Sequence, residues 1–226
     1  MNLTYYPFLI KLSTVFDIPL KEMNFSRVYS LYDTLTVDLH LNRKIPEQIT
    51  EEDYHNMRHL YEWYNHLRFS RGLAQATNNE KLKDILTDFT ARVQNPTSAM
   101  FKWRFLSAHD NDVGPLLLGL NISSAQCVEE TYRRGYTDAL NCDSNTEYAS
   151  SIITELHSDA KGEYYVKIRH NGRYVYLCER KEVACGWEEF RNRLQAQVLS
   201  DREYYAICGG APGEEGGRGK QDIIHE

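Results

Sequence analysis

No run in this chain approaches the roughly 18 to 20 consecutive apolar residues that a membrane-spanning helix needs, and the opening MNLTYYPFLIKLSTVF is interrupted by Lys11 and by polar residues. That excludes a membrane span and leaves no visible signal peptide or anchor. No C-x-x-C pair occurs among Cys127, Cys142, Cys178, Cys185 and Cys208, which argues against a zinc ribbon or thioredoxin-like chemistry. The histidines at 40, 55, 59, 66, 157, 170 and 225 form no H-E-x-x-H arrangement, so no metal site is expected. Excess positive charge is also missing. A net charge of -6 disfavours a general binder of nucleic acid or anionic membranes, and any phosphate-handling site would need locally placed cations.

What is present describes an ordinary globular protein. The 226 residues are enough for one sizeable domain, or for a core domain with a smaller cap; 42 % are hydrophobic, 26 % are charged and 16 are tyrosine. The five cysteines fit two disulfides and one leftover thiol, or else a reduced, buried structural set. Three Asn-x-Ser/Thr triplets, at Asn2, Asn24 and Asn121, are candidate glycosylation sites and agree with a secretory setting.

Along the chain, residues 1–48 read as short helical and extended pieces joined by Pro7, Pro19 and Pro46. Thr50, three residues before Asp53, starts a helix through Tyr54, Met57, Tyr61, Tyr64 and Leu67. A second helix is expected from Asn79, as its cap, to about Val93, buried through Leu82, Ile85, Leu86 and Phe89. From Met100 the pattern changes. MFKWRFLS reads as a strand ending at Ala108-His109-Asp110, followed by the apolar helix GPLLLGL. SSIITELH reads as another strand, and YYVKIRH and RYVYLC form an antiparallel hairpin about Asn171-Gly172, where both turn positions tolerate positive φ. A last helix fits Trp187, Phe190, Leu194 and Val198, and the Gly-rich, charged residues 210–226 read as a disordered tail.

His109 and Asp110 stand side by side between an apolar strand and a helix start. Helix N-terminal amides attract anions, a histidine can donate to a phosphate oxygen, and a neighbouring carboxylic acid can protonate a leaving alkoxide. The surroundings of this pair resemble the histidine acid phosphatases, branch two of the histidine phosphatase superfamily. The resembling segments, in order, are Leu31-Tyr32-Asp33-Thr34-Leu35 with Ile45-Pro46, then L-S-A-H-D before Gly-Pro-Leu-Leu, then Tyr148-Ala149-Ser150-Ser151 leading to Glu155-Leu156, then the hairpin, Cys178, Cys185, Trp187-Glu188-Glu189-Phe190 and Cys208.

The resemblance implies an α/β fold with a mixed, mainly parallel sheet flanked by helices. It places an α-helical cap at residues 1–97 and the C-terminal part of the phosphatase domain at 98–209, the whole incomplete on its N-terminal side. It implies hydrolysis of phosphate monoesters without metal or cofactor, in which a histidine of an R-H-G-x-R-x-P motif attacks phosphorus, His109 binds the phosphoryl group and Asp110 is the proton donor. That motif is absent from the chain. Arg58-His59-Leu60 lies in a predicted helix and lacks the glycine, while Arg169-His170-Asn171-Gly172-Arg173 is the hairpin tip. In the family the motif lies near the mature N-terminus, at a position that would precede Met1 here, and the sheet would then lack its central strand. The chain alone is therefore expected to be inactive, and marginal, aggregation-prone or dependent on a partner, either as a homo-oligomer or with a chain supplying the missing part; the alternative is a non-catalytic pseudo-phosphatase or interaction subunit. Family-like pairing joins Cys127 to Cys142 and Cys178 to Cys185, leaves Cys208 alone, and fits a secreted or lysosomal/vacuolar glycoprotein.

Overall fold

A computed structural model describes residues 5–69, 71–97, 102–135, 143–144, 146, 148–178 and 182–209. Eight α-helices and a small sheet are seen among them. The expected tail at 210–226 lies outside the described residues, as do Asn2 and Cys142.

The first 48 residues are more regular than their prolines suggest. Helix α1 spans Tyr6–Val15 with Pro7 in its first turn, where the missing N–H costs nothing, and a single 3-10 turn follows at Leu20–Glu22. Helix α2 then runs from Phe25 to His40, capped by Asn24, whose side-chain oxygen accepts from the Arg27 N–H at 3.0 Å. The chain here is a full helix where short pieces were expected, because Val28, Tyr32 and Leu35 recur at helical spacing and bury one face. Helix α3 (Glu51–Arg68) begins as its sequence indicates: Thr50 and Asp53 close a capping box. Leu9, Leu12, Val28, Tyr32, Leu35, Met57, Leu60 and Tyr61 form one apolar cluster.

Helix α4 starts earlier than expected, at Arg71, and extends to Gln94. Asn79 is therefore not a cap. It is buried inside the helix and clasps the backbone of Leu199, whose N–H donates to Asn79 Oδ1 at 2.8 Å and whose carbonyl accepts from Nδ2 at 3.2 Å. A buried amide with no local partner to cap finds one 120 residues away. A neighbouring stripe of α4 packs Leu82, Ile85, Leu86 and Phe89 into a second cluster with Leu117, Val166, Ile168, Trp187, Phe190 and Leu194.

Helices α5 (Asp110–Gly119) and α6 (Ala125–Arg133) precede the sheet. Strands β1 (Ile152–Ser158), β2 (Tyr164–His170) and β3 (Arg173–Tyr174) form a meander, and β4 (Cys185–Gly186) pairs with β2. Every pairing is antiparallel. The expectation of a mainly parallel sheet is thus corrected for the described residues. Parallel neighbours need a crossover of a dozen or more residues, whereas β1 and β2 are joined by a turn at 159–163 and β2 and β3 by Asn171-Gly172, with φ of 48° and 80°. The segment 102–108, expected as a strand, is exposed and forms no strand, with no ladder partner among the described residues. Helices α7 (Trp187–Gln195) and α8 (Asp201–Cys208) close the fold, the latter unforeseen.

Cys178 and Cys185 are disulfide-bonded with Cα atoms 5.5 Å apart, and Cys208 is free and exposed, as the family-like pairing implies. The Cys127–Cys142 pairing falls outside the described residues at Cys142.

Asn79→Ala is expected to lower stability by about 2 kcal/mol, since it strands two buried backbone groups of Leu199. Denaturant unfolding measures this; an unchanged midpoint would mean that the segment before α8 is held by apolar contacts alone.

Candidate functional site

Asp110 opens α5 at the seam between the two apolar clusters. Its carboxylate reaches across to the helical side: Oδ2 accepts from the Tyr29 hydroxyl of α2 at 3.0 Å and from the Tyr61 hydroxyl of α3 at 3.4 Å, while Oδ1 accepts from the Asn111 N–H at 2.9 Å. The two tyrosine rings are stacked, with centroids 4.5 Å apart. Burial pushes both phenols above their ordinary pKa, Tyr29 strongly, and the adjacent carboxylate adds to the effect, so both remain donors.

His109 caps α5 with extended backbone and is exposed. Its N–H donates to Asp112 Oδ2 at 3.2 Å, and Asp112 Oδ1 accepts from Lys81 of α4 at 3.0 Å. The Lys81 hydrogen bond, foremost, holds the Asp112 carboxyl below its usual range despite partial desolvation. Lys81 thus supports the loop from behind.

A cleft of about 290 Å³ opens here, lined by Tyr32, Asp33, Thr36, Tyr61, Glu62, His109, Asp110, Val113, Thr146 and the 148–150 turn. Three of the segments that carry the resemblance meet in it: Tyr32-Asp33 from α2, His109-Asp110 from α5, and Tyr148-Ala149-Ser150 ahead of β1. Tyr148 closes the ring by donating to Asp33 Oδ1 at 2.8 Å. The floor is Glu62, 4 % exposed, which accepts from Arg58 Nε at 3.1 Å and from Ser144 Oγ at 2.6 Å; burial raises its pKa against the pull of Arg58.

A family model for the histidine phosphatase superfamily (branch 2) matches residues 13–171. The chain belongs to that superfamily. A comparison with curated proteins finds no match.

Within this branch-2 chain the sequence-derived pair His109 and Asp110 shares one cleft. The near-matches to the missing motif do not line it: His59 is buried in α3, stacked on Tyr132 with centroids 4.1 Å apart, and His170 ends β2 with its side chain fully buried behind Ser150 of the cleft wall. His55 and His59 stand four residues apart on α3, a spacing that two metal ligands can use. Among the described residues, however, the one grouping of potential metal ligands is Cys178, Cys185 and Glu189, where the two sulfurs are bonded to each other. Glu155 of the Glu-Leu segment also lies away from the cleft, in a cross-strand network with His157, Arg169 and Tyr174. Asn24 and Asn121 are both exposed.

Sequence reasoning missed Tyr29, Tyr61, Asp33 and Glu62 as site residues. Tyr61 was read as core from its helical spacing, which is half of its role. The available signal was Glu62, a carboxylate on the buried face of α3; Asp33 is exposed on α2 and Tyr29 half-buried, and neither carries such a mark.

The hydrogen bond to Asp33 chiefly, with some burial, holds the Tyr148 phenol at a pKa of about 12, above the ordinary 10.0. A bond donated to a carboxylate favours the protonated phenol. Asp33→Asn is therefore expected to bring Tyr148 titration down toward the ordinary value, read by tyrosine-ring NMR; an unmoved titration would mean that the bridge across the cleft mouth does not persist in solution.

Proposed function

We propose that this chain carries the proton-donating side of a histidine acid phosphatase-type site for phosphate monoesters, with Asp110 as proton donor and His109 as phosphate ligand. The observation that supports this most is the convergence of Asp33, His109-Asp110 and Tyr148-Ser150 on one cleft in a chain of this superfamily. Asp110 is anchored on three sides by donors while facing the cleft, and the adjacent exposed histidine can reach a bound oxyanion. Proton transfer from Asp110 to a leaving oxygen, followed by assistance to attacking water, is the chemistry this pair can supply.

The nucleophilic half requires an R-H-G-x-R-x-P segment that these 226 residues do not contain. General acid catalysis contributes about 10²- to 10⁴-fold and does not replace a covalent nucleophile with its arginines. The chain alone is thus inactive in this proposal, and a segment or subunit bearing the motif completes the site. A specific observation favours a second reading, a non-catalytic pseudo-phosphatase or interaction subunit: Asp33, Glu62 and Asp110 line the cleft, and no lysine or arginine does among the described residues. An oxidising compartment, secreted or lysosomal/vacuolar, goes with either reading and is supported by the Cys178–Cys185 bond.

Purified chain is expected to show no hydrolysis of p-nitrophenyl phosphate above background. Tartrate-sensitive turnover that is lost in Asp110→Asn would overturn the half-site proposal. Recovery of turnover on adding a motif-bearing segment, again lost in Asp110→Asn, would separate it from the pseudo-phosphatase reading.

A further inference from the structure

Ser150 stands on the cleft wall, partly exposed, at the end of the turn that Ala149 bends with φ of +59°. Its Oγ lies 3.1 Å from Nε2 of His170, and the other ring nitrogen, Nδ1, lies 2.7 Å from Asp143 Oδ2. His170 is fully buried and Asp143 is nearly so. A hydroxyl open to a cleft, a base within hydrogen-bond reach and a carboxylate at ion-pair distance behind the base are the parts of an activated serine, although in this arrangement Nδ1 makes no hydrogen bond of good geometry to Asp143. We propose that Ser150, His170 and Asp143 make Ser150 a nucleophile toward uncharged carboxylic esters.

The elements explain the arrangement. β1 and β2 pair with Ile152 opposite His170, which brings the residues just before β1 beside the end of β2. The Asn171-Gly172 turn then fixes Asn171, whose Oδ1 accepts from the Ser151 N–H and from Ser150 Oγ, each at 2.9 Å. The Ser150 hydroxyl has one proton and two acceptors within reach, Asn171 Oδ1 and His170 Nε2. Rotation about its side chain moves that proton from the amide to the imidazole and directs an oxygen lone pair into the cleft.

The substrate class follows from the cleft wall. Asp33 and Asp110, with no lysine or arginine among the described lining residues, repel a phosphate dianion but not a neutral ester. In the reaction, Ser150 Oγ bonds to the carbonyl carbon while its proton passes to His170 Nε2, and Asp143 faces the resulting imidazolium. The ester C–O bond breaks as that proton passes to the leaving alkoxide, which departs as an alcohol. Water, deprotonated by the same Nε2, then cleaves the acyl-serine to the free acid and restores the hydroxyl.

The test is to incubate the full chain with p-nitrophenyl acetate, follow release of p-nitrophenolate, and map acetylated peptides by mass spectrometry, so that reaction at exposed Cys208 is distinguished. The expected result is one acetyl group on the peptide carrying Ser150, absent in Ser150→Ala. Asp143→Asn, which keeps the side-chain shape, is expected to slow acetylation of Ser150 by about 10²-fold, and Ser150→Cys to retain labelling at that position. Acetylation confined to other residues, or an unchanged rate at Ser150 in Asp143→Asn with an unaltered circular dichroism spectrum, overturns the proposal. The comparison holds whether or not Ser150→Ala folds, and it is independent of the phosphatase assays because none of its readouts involves a phosphate ester.

Discussion

Two phenol-to-carboxylate hydrogen bonds, from Tyr29 and Tyr61 to Asp110, connect the two halves of this molecule where its cleft opens. The apolar clusters on either side are separate, one built by α1 to α3 and the other by α4, α5, α7 and the sheet. Apolar packing within each is non-directional and does not by itself fix how a loop residue faces its neighbour. Directional bonds do. Because Tyr61 belongs to the first cluster and Asp110 begins a helix of the second, the position of the proton-donor candidate is set by the register of α2 and α3 as much as by its own loop. Lys81 and Asp112 brace the same helix start from the other side.

Beneath the cleft runs a layer of buried polar groups. Arg58, Glu62 and Ser144 are joined in sequence, and His170 and Asp143 lie close by on the sheet side. Removing such charges from water is costly unless partners meet them, and breaking one link leaves an uncompensated buried charge. An upward shift of the Glu62 pKa is the local consequence, driven first by burial and helped by the nearby Asp143. A wall of this kind is a rigid support for side chains at the cleft face, since no member can move without losing a partner.

What could be read from the sequence depended on whether the signal was local. Thr50 with Asp53, and Asn171 with Gly172, act within a few residues of themselves, and both the capping box and the hairpin appear where they were expected. The sequence pattern puts His109-Asp110 in a loop ahead of a helix at Gly114, whereas the helix begins at Asp110 with His109 as its cap, one turn earlier. Asn79 shows the limit. Its residue type suits a cap, but its real partner is the backbone of Leu199, and burial in a long helix overrode the propensity. Parallel pairing came from family resemblance, whereas the short turns among the described strands permit only antiparallel neighbours. The tyrosine contacts to Asp110 span 81 and 49 residues, a separation for which no periodicity carries a signal.

Electrostatics decide what such a cleft can hold. At an effective dielectric of about 20, one ionised carboxylate roughly 5 Å from a unit negative charge costs about 3 kcal/mol. Asp33 and Asp110 face the same space, with Glu62 beneath them already paired to Arg58, so a phosphate dianion requires cations that the described lining does not offer. In the family's chemistry that charge comes with the R-H-G-x-R-x-P segment, whose arginines accompany the nucleophile; binding and attack are therefore supplied together or not at all. An uncharged ester meets no such barrier at Ser150. Substrate charge is thus what distinguishes the two proposals: the half-site needs an added cationic segment to hold a phosphate ester, whereas the proposed reaction at Ser150 calls on residues already in place.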